Sequence, residues 1–185
     1  GRIHLFEFED LNWFPSFLRN YGTDFLQFLS NKTKMYKPII PIIKKGLEKS
    51  GTNHIIDLGS GGGGGLIWLN SELKKDIPNL KITLTDYYPN ISAFKFTKKQ
   101  ADNFEFVEKS VDAQNVPTEL SGLRTQFLSL HHFRPDDAQQ ILQNAISSNS
   151  SIAIFEAQER SVPSIVAMLF SPISVLLTTP FIRPF

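Results

Sequence analysis

The chain has 185 residues, and its 19 Lys and Arg against 18 Asp and Glu give a formal net charge of +1. A balance this close to zero, without a long run of like charges, argues against a nucleic-acid partner held by a broad basic face. Cysteine is absent, which excludes disulfide scaffolds, thiolate metal sites and cysteine nucleophiles. The chain begins with no basic stretch followed by an apolar core, so no secretory signal is visible and a cytoplasmic location is expected.

Residues 1–51 are predicted to form a helical cap. Apolar side chains recur there at three- and four-residue steps, as in an amphipathic helix: Phe14, Phe17, Leu18, Tyr21, Phe25, Phe28 and Leu29. A second helix is predicted from about residue 38 to 49, because Ser50-Gly51 is a typical helix stop. The aromatic side chains Trp13, Phe14, Phe17 and Tyr21 are expected either to pack in the core or to form a lid over a ligand pocket.

Residues 52–160 are predicted to form an α/β core. Short apolar runs predict five strands, at 55–58, 80–85, 104–107, 126–130 and 152–155. Strands that alternate with helices indicate a parallel sheet with helices on both faces, the doubly wound α/β class. With a C-terminal segment at 161–185, we expect residues 1–185 to form a single domain.

Residues 55–65 contain an apolar strand that leads into a turn almost without side chains, IIDLGSGGGGG. Glycine lets the backbone approach a ligand closely, and this turn is expected at the carboxyl edge of the sheet, where nucleotide-like ligands bind. Gly59, Gly61 and Gly64 also match the dinucleotide pattern G-x-G-x-x-G, so glycine spacing leaves two ligand classes open. Asp57 separates them, because a carboxylate repels a pyrophosphate but attracts the sulfonium and ammonium groups of S-adenosylmethionine.

The chain resembles the class I S-adenosylmethionine-dependent methyltransferases over residues 54–156. The family's first motif, an apolar strand, an acid and G-x-G-x-G, matches residues 57–63. Its second motif, an acid that ends strand two, matches Asp86, and its third, an acid and a small residue after strand three, matches Asp112-Ala113. The resemblance implies a Rossmann-like fold and methyl transfer from S-adenosylmethionine to a small-molecule acceptor. The run of five glycines departs from the family pattern.

The resemblance also implies which residues bind the cofactor. They are Tyr36, Asp57, Gly59, Ser60, Gly61, Gly63, Asp86, Tyr87, Asp112, Ala113 and Ser129. In the family, the acid matched by Asp86 binds the ribose hydroxyls, and the third motif and Tyr87 lie by the adenine. Tyr36 matches an aromatic residue near the methionine end. From the residues alone, Asp86 could instead cap the helix that begins near Asn90.

His131 and His132 follow the fourth predicted strand, where the methyl donor and acceptor should meet. Many small-molecule methyltransferases resemble this chain in having a Leu-His-His run there. Imidazole titrates near neutral pH, so one histidine could take a proton from the acceptor. Adjacent side chains point in different directions, so we expect one of the two to be catalytic, with His131 ahead of His132. Glu156 is expected to pair with Arg160 rather than face the acceptor, and no metal site is expected.

The C-terminal segment is apolar, and positions 162–182 carry no formal charge. Its length could span a bilayer, but its three prolines should break the helix and favour a segment that covers the sheet, with interfacial contact as the alternative. The family's sheet has a sixth and a seventh strand, for which this sequence shows no counterpart. We therefore expect a shortened form of a longer protein, or a homodimer through the C-terminal segment, because an uncovered sheet edge invites association.

Two other functions stay open from the residues alone. An NAD(P)-dependent oxidoreductase shares the glycine turn and the strand-two acid, although Asp57 disfavours it. A non-catalytic module that keeps the fold for cofactor binding or partner docking is consistent with the missing strands.

Overall fold

Five parallel strands form the centre of the computed structural model, which describes residues 11, 13–157 and 161–182. The strands are β1 (His54–Leu58), β2 (Lys81–Thr85), β3 (Phe104–Phe106), β4 (Leu123–Phe127) and β5 (Ile152–Phe155). Their spatial order is β3-β2-β1-β4-β5, and all neighbours are parallel. The chain order reverses beside β1, which creates a switch point at the carboxyl edge, where ligands bind in this class of fold.

Helices cover both faces of the sheet, which confirms a doubly wound, Rossmann-like α/β architecture. They are α1 (Ser16–Thr33), α2 (Ile40–Ser50), α3 (Leu66–Leu73), α4 (Ile91–Gln100), α5 (Pro135–Ser147) and α6 (Val162–Thr178). On one face the main core contains Ile43 of α2, Leu69 of α3 and Phe94 of α4. On the other face, Ile141 of α5 packs with Leu58 of β1.

The predicted second helix is confirmed, and it belongs to the layer that covers the sheet. A 3₁₀ turn at Lys37–Ile39 leads into α2, and Gly51, directly after its last residue, has the left-handed conformation with φ of 62°. Ile43 and Leu47 of α2 are buried in the main core. Of the helices predicted as a cap, α2 therefore contributes directly to the stability of the sheet.

β4 begins and ends earlier than predicted. The sequence predicts a strand at 126–130, whereas β4 is Leu123–Phe127. Its polar residues are buried because the strand lies inside the sheet, where Arg124 donates to the Asn144 side chain at 2.7 Å. An apolar-run criterion misses a strand whose middle residues are polar. Leu128, with φ of 50°, ends it, and Leu130–His132 forms a 3₁₀ turn.

α1 is amphipathic as predicted, but it buries its polar face instead of its apolar stripe. Its buried residues are the polar Asp24, Gln27 and Ser30. Phe17 and Tyr21, from the predicted apolar stripe, are 56% and 54% exposed. Core packing is therefore wrong for these two side chains, and the predicted lid is also wrong for them because neither lines the cavity described below. The reason is that α1 faces the carbonyl groups of the glycine turn, which need hydrogen-bond donors.

α6 differs from the prediction in two ways. It continues through Pro172, because an interior proline removes one helical hydrogen bond without having to end the helix. Several of its described apolar side chains are largely exposed, such as Ile165 and Leu169, so it does not cover the sheet as expected. Within the described part of the chain, no helix combines the length and apolarity that a bilayer crossing requires.

Candidate functional site

A cavity of about 420 Å³ lies at the carboxyl edge of the sheet, where β1, β2 and β4 end. Its lining includes most of the predicted cofactor-binding residues: Tyr36, Asp57, Gly59, Ser60, Gly61, Asp86, Tyr87, Asp112, Ala113 and Ser129. Gly63 does not line it. A Cβ atom at Gly63 would lie 2.6 Å from Oγ1 of Thr97, so this glycine is needed for packing of the turn against α4.

Asp57 is the most buried charged group of the cavity. Its two carboxylate oxygens accept hydrogen bonds from the hydroxyls of Ser60 and Thr125, each at 2.7 Å. Burial raises the pKa of Asp57 to about 7, although the two hydroxyl donors oppose that rise. A cationic group in the cavity would therefore favour the ionised carboxylate and be attracted by it.

Asp86 connects the end of β2 to the glycine turn. Its Oδ2 accepts the backbone N–H of Gly61 at 2.7 Å, and its Oδ1 accepts that of Tyr88 at 2.8 Å. Burial raises the pKa of Asp86, against the effect of these donors. A carboxylate accepts up to about four hydrogen bonds, so Asp86 retains capacity for a ligand hydroxyl. Asn90 caps α4 by accepting from Ala93, so the alternative role of Asp86 as a helix cap is not observed.

Several backbone N–H groups in and after the glycine turn are already used within the protein. Ser60 N donates to Thr85 O at 2.8 Å, Gly61 N donates to Asp86, and Gly63 N donates to Ser60 O at 2.7 Å. In the first turn of α3, Trp68 N donates to Oδ1 of Asn31 at 2.8 Å. A dinucleotide pyrophosphate is normally bound by such N–H groups. Here these four have intramolecular acceptors.

The polar face of α1 accounts for the run of glycines. Gln27 Nε2 donates to the carbonyl of Gly62, and Asn31 Nδ2 donates to that of Gly64 at 3.0 Å. A Cβ atom at Gly62 would lie 2.8 Å from a backbone oxygen of α1, that of Thr23. The turn therefore carries glycine partly so that α1 can pack on it. The helical spacing of polar residues in α1 indicates a polar face, but it does not identify the glycine turn as the partner of that face.

The two histidines have different surroundings. His132 lines the cavity together with Phe133, whereas His131 is not part of the lining. Nδ1 of His131 lies 2.8 Å from Oε2 of Glu156, and Oε1 of Glu156 accepts from Leu130 N at 2.8 Å. Burial favours a higher pKa for Glu156, but the hydrogen bond and charge of His131 outweigh it and the pKa is lowered. The predicted partner of Glu156, Arg160, lies outside the described residues.

The imidazole rings of His131 and His132 stack, with their centroids 4.4 Å apart and an interplanar angle of 29°. The contact of His131 with Glu156 therefore also restrains the ring that faces the cavity. Among the described residues, no group of three or more His, Asp and Glu could hold a metal ion.

Sequence reasoning missed several residues of the lining, among them Arg19, Thr23, Tyr88, Gln114 and Gln126. The guanidinium of Arg19 lies 4.2 Å from the ring centroid of Tyr88. Arg19 and Thr23 lie in α1 and Gln126 lies in a polar stretch of β4, and neither element carries a motif. Ser129 Oγ, at a predicted position, is buried without a hydrogen-bond partner in the described part of the chain. The cavity thus retains polar atoms that a ligand could pair.

No family model and no curated protein matches the chain. An O-methyltransferase family protein from Burkholderia thailandensis is 19% identical with a TM-score of 0.47, covering 76% of this chain and 44% of that one. Human N-acetylserotonin methyltransferase, in complex with S-adenosylmethionine, is 19% identical with a TM-score of 0.49, covering 90% and 56%. PigF with S-adenosylhomocysteine is 20% identical with a TM-score of 0.47, covering 74% and 40%.

This chain therefore spans between 40% and 56% of the length of those three proteins. Similarity at this level does not assign the chain to a family.

Proposed function

We propose that this chain is a class I S-adenosylmethionine-dependent methyltransferase acting on a small-molecule acceptor. The observation that carries the proposal is the pairing of Gly61 N–H with the carboxylate of the partly buried Asp86, near a fully buried acid, Asp57. The carboxylate already takes the N–H of Gly61 and places negative charge beside the turn, which disfavours a pyrophosphate. The same turn suits a ligand with ribose hydroxyls and positive charge.

The cavity residues fit this cofactor. Asp86 would accept the ribose hydroxyls, and Asp57 would attract the positive charges at the methionine end. Asp112 retains capacity for a ligand donor, since its Oδ1 accepts one backbone N–H, from Gln114 at 2.8 Å. The lining thus contains three acidic residues, and it also contains the basic residue Arg19. When bound, S-adenosylmethionine would supply a methyl group activated by its sulfonium.

The chain's contribution to the transfer is positioning and, where the acceptor is an acid, proton removal. Holding the nucleophile in line with the methyl group can supply most of the acceleration. His132 is the imidazole on the cavity wall, so it is the proposed base. His131, held by Glu156, is proposed to orient His132 through the stacked rings. Phe133 and Leu26 provide apolar wall for the acceptor.

Calorimetric titration of the protein with S-adenosylhomocysteine and NAD in parallel tests the cofactor. We expect S-adenosylhomocysteine to bind and NAD to give no heat of binding. Binding of NAD alone would support the oxidoreductase instead. A cofactor-binding protein that methylates none of a panel of phenols, amines, thiols and carboxylates would support the non-catalytic module.

A further inference from the structure

Gln126 is buried at the cavity with an unused hydrogen-bonding group. Its side chain is 1% exposed, and within the described residues neither its amide nitrogen nor its amide oxygen has a partner. Buried amides in folded proteins are nearly always paired, because an unpaired one loses its hydration without compensation. Gln126 is also part of the cavity lining. A ligand in the cavity is therefore the natural source of its missing partners.

Register places the Gln126 side chain on one particular side of the cavity. Gln126 lies opposite Leu58 of β1, and Leu58 packs in the same cluster as Ala113. The next residue, Phe127, points to the other face, where its ring lies 4.7 Å from that of Tyr36. Gln126 is therefore on the side of the third motif, away from Tyr36.

The chemistry of the amide restricts what it can bind. A glutamine amide presents one donor group and one acceptor side by side, and either orientation of the amide keeps that pair. The methionine end of the cofactor carries an ammonium, which only donates, and a separate carboxylate, which only accepts. The adenine edge offers an amino donor next to a ring-nitrogen acceptor, and a glutamine amide can bind it through two parallel hydrogen bonds.

We propose that Gln126 binds the adenine base, an inference that rests on the proposed function. The proposal has opposite consequences for stability and for binding. In the free protein the unpaired amide lowers stability, so replacement by an apolar side chain of the same length relieves that cost. In the complex the same replacement loses two hydrogen bonds and leaves the base unpaired.

The test compares Gln126→Met with Asn70→Leu in the full chain. Asn70 is a matched control because it is also buried but exchanges hydrogen bonds with Asn103, at 3.0 and 2.7 Å, outside the cavity lining. We measure the melting temperature without ligand and the affinities for S-adenosylhomocysteine and for adenosine. For Gln126→Met we expect an unchanged or higher melting temperature and both affinities reduced about 10- to 100-fold. For Asn70→Leu we expect a lower melting temperature with both affinities unchanged.

Three outcomes would overturn the proposal. A lower melting temperature of Gln126→Met with unchanged affinities would show a structural role, such as support of the buried Arg124. Weaker binding of S-adenosylhomocysteine with unchanged binding of adenosine would place the amide at the methionine end. A wild-type protein that binds neither compound would overturn the proposal together with the proposed function. If wild type binds adenosine but not S-adenosylhomocysteine, only the methyltransferase fails, and the adenosine titration still decides the role of Gln126.

Discussion

The carboxylate of Asp86 accepts the backbone N–H of Gly61 with 2.7 Å between Oδ2 and N. This contact joins the end of β2 to the turn that follows β1. The second carboxylate oxygen holds Tyr88 N, so one side chain shapes two loops and still lines the cavity. Cofactor affinity and the conformation of the glycine turn should therefore depend on the same residue.

We expect Asp86→Ala to weaken binding of S-adenosylhomocysteine roughly 10- to 100-fold, because a charge-assisted hydrogen bond contributes about 1.5–3 kcal/mol. Isothermal titration calorimetry measures the effect. Asp76→Ala is the control, since Asp76 is an exposed partner of Lys44 away from the cavity lining. Equal affinity of Asp86→Ala and wild type would remove Asp86 from the site.

For an acceptor that must lose a proton, we expect His132→Ala to lower turnover by about 10²–10⁴. Cofactor affinity should stay within a few-fold of wild type, because the imidazole is proposed to act on the acceptor. His131→Ala should cost less, since His131 is not part of the lining and contacts Glu156. Steady-state kinetics of both variants measure these losses of turnover. A larger loss of turnover in His131→Ala would assign the base to His131, as the sequence predicts.

Asp24 is expected to make stability fall as pH rises. Burial raises the pKa of Asp24 to about 6, from 3.8, against the effect of Asn90, whose Nδ2 donates to it at 3.3 Å. Between these values the folded state binds more protons than the unfolded state, so ionisation costs stability as pH increases. With allowance for solvent screening, Asp24→Asn should gain about 1 kcal/mol at pH 8, or ~2–4 °C in melting temperature. The gain should vanish near pH 4.

Thermal unfolding at pH 4, 6 and 8 measures this difference. Asp102→Asn serves as the control, because Asp102 is exposed beside Lys74 and should show no gain at pH 8. A pH-independent change in Asp24→Asn would show that the effect does not come from ionisation.

Asn31 connects α1 to α3. Its Oδ1 accepts from Trp68 N, and its Nδ2 donates to Gly64 O. Because Asn31 replaces a missing side-chain cap at the start of α3, Asn31→Ala should cost about 1–2 kcal/mol. Thr33→Ala is the matched control on the same helix, since Thr33 is exposed and its hydroxyl donates to Leu29 O within α1. Denaturant titration should separate the two variants, and equal stabilities would contradict the capping role.

Replacement by alanine should change the stability of the protein in opposite directions at two glycines. A Cβ atom at Gly65 would lie 2.4 Å from the Tyr36 ring, so Gly65→Ala should cost about 1–3 kcal/mol through overpacking. Gly22 lies within α1 with nothing within 4 Å of its Cβ position, so Gly22→Ala should add roughly 0.5–1 kcal/mol. Melting temperatures would test both, and a stable Gly65→Ala variant would show that Tyr36 can move.

Local patterns predict much of this fold. Alternating apolar runs and helical periods indicate the order of strands and helices, and Gly51 marks the end of α2, because these features depend on residues near in sequence. The motif acids Asp57 and Asp86 are likewise recognisable from their places at strand ends. Parallel strands bring their carboxyl ends to one edge, so residues far apart in sequence meet at one cavity.

Contacts between segments that are distant in sequence determine the remaining features of the fold and the site. The burial of the polar face of α1 follows from the glycine-turn carbonyls, which no periodicity in residues 14–29 reveals. In the sequence, Gln126 is an ordinary polar residue. Its role becomes visible only in the structure, where β4 is paired on both sides and the Gln126 amide has no partner among the described residues. The choice between His131 and His132 depends on Glu156, at the end of another strand. Hydrogen-bond partners and burial are properties of the packed chain, and for that reason they are not encoded in local spacing.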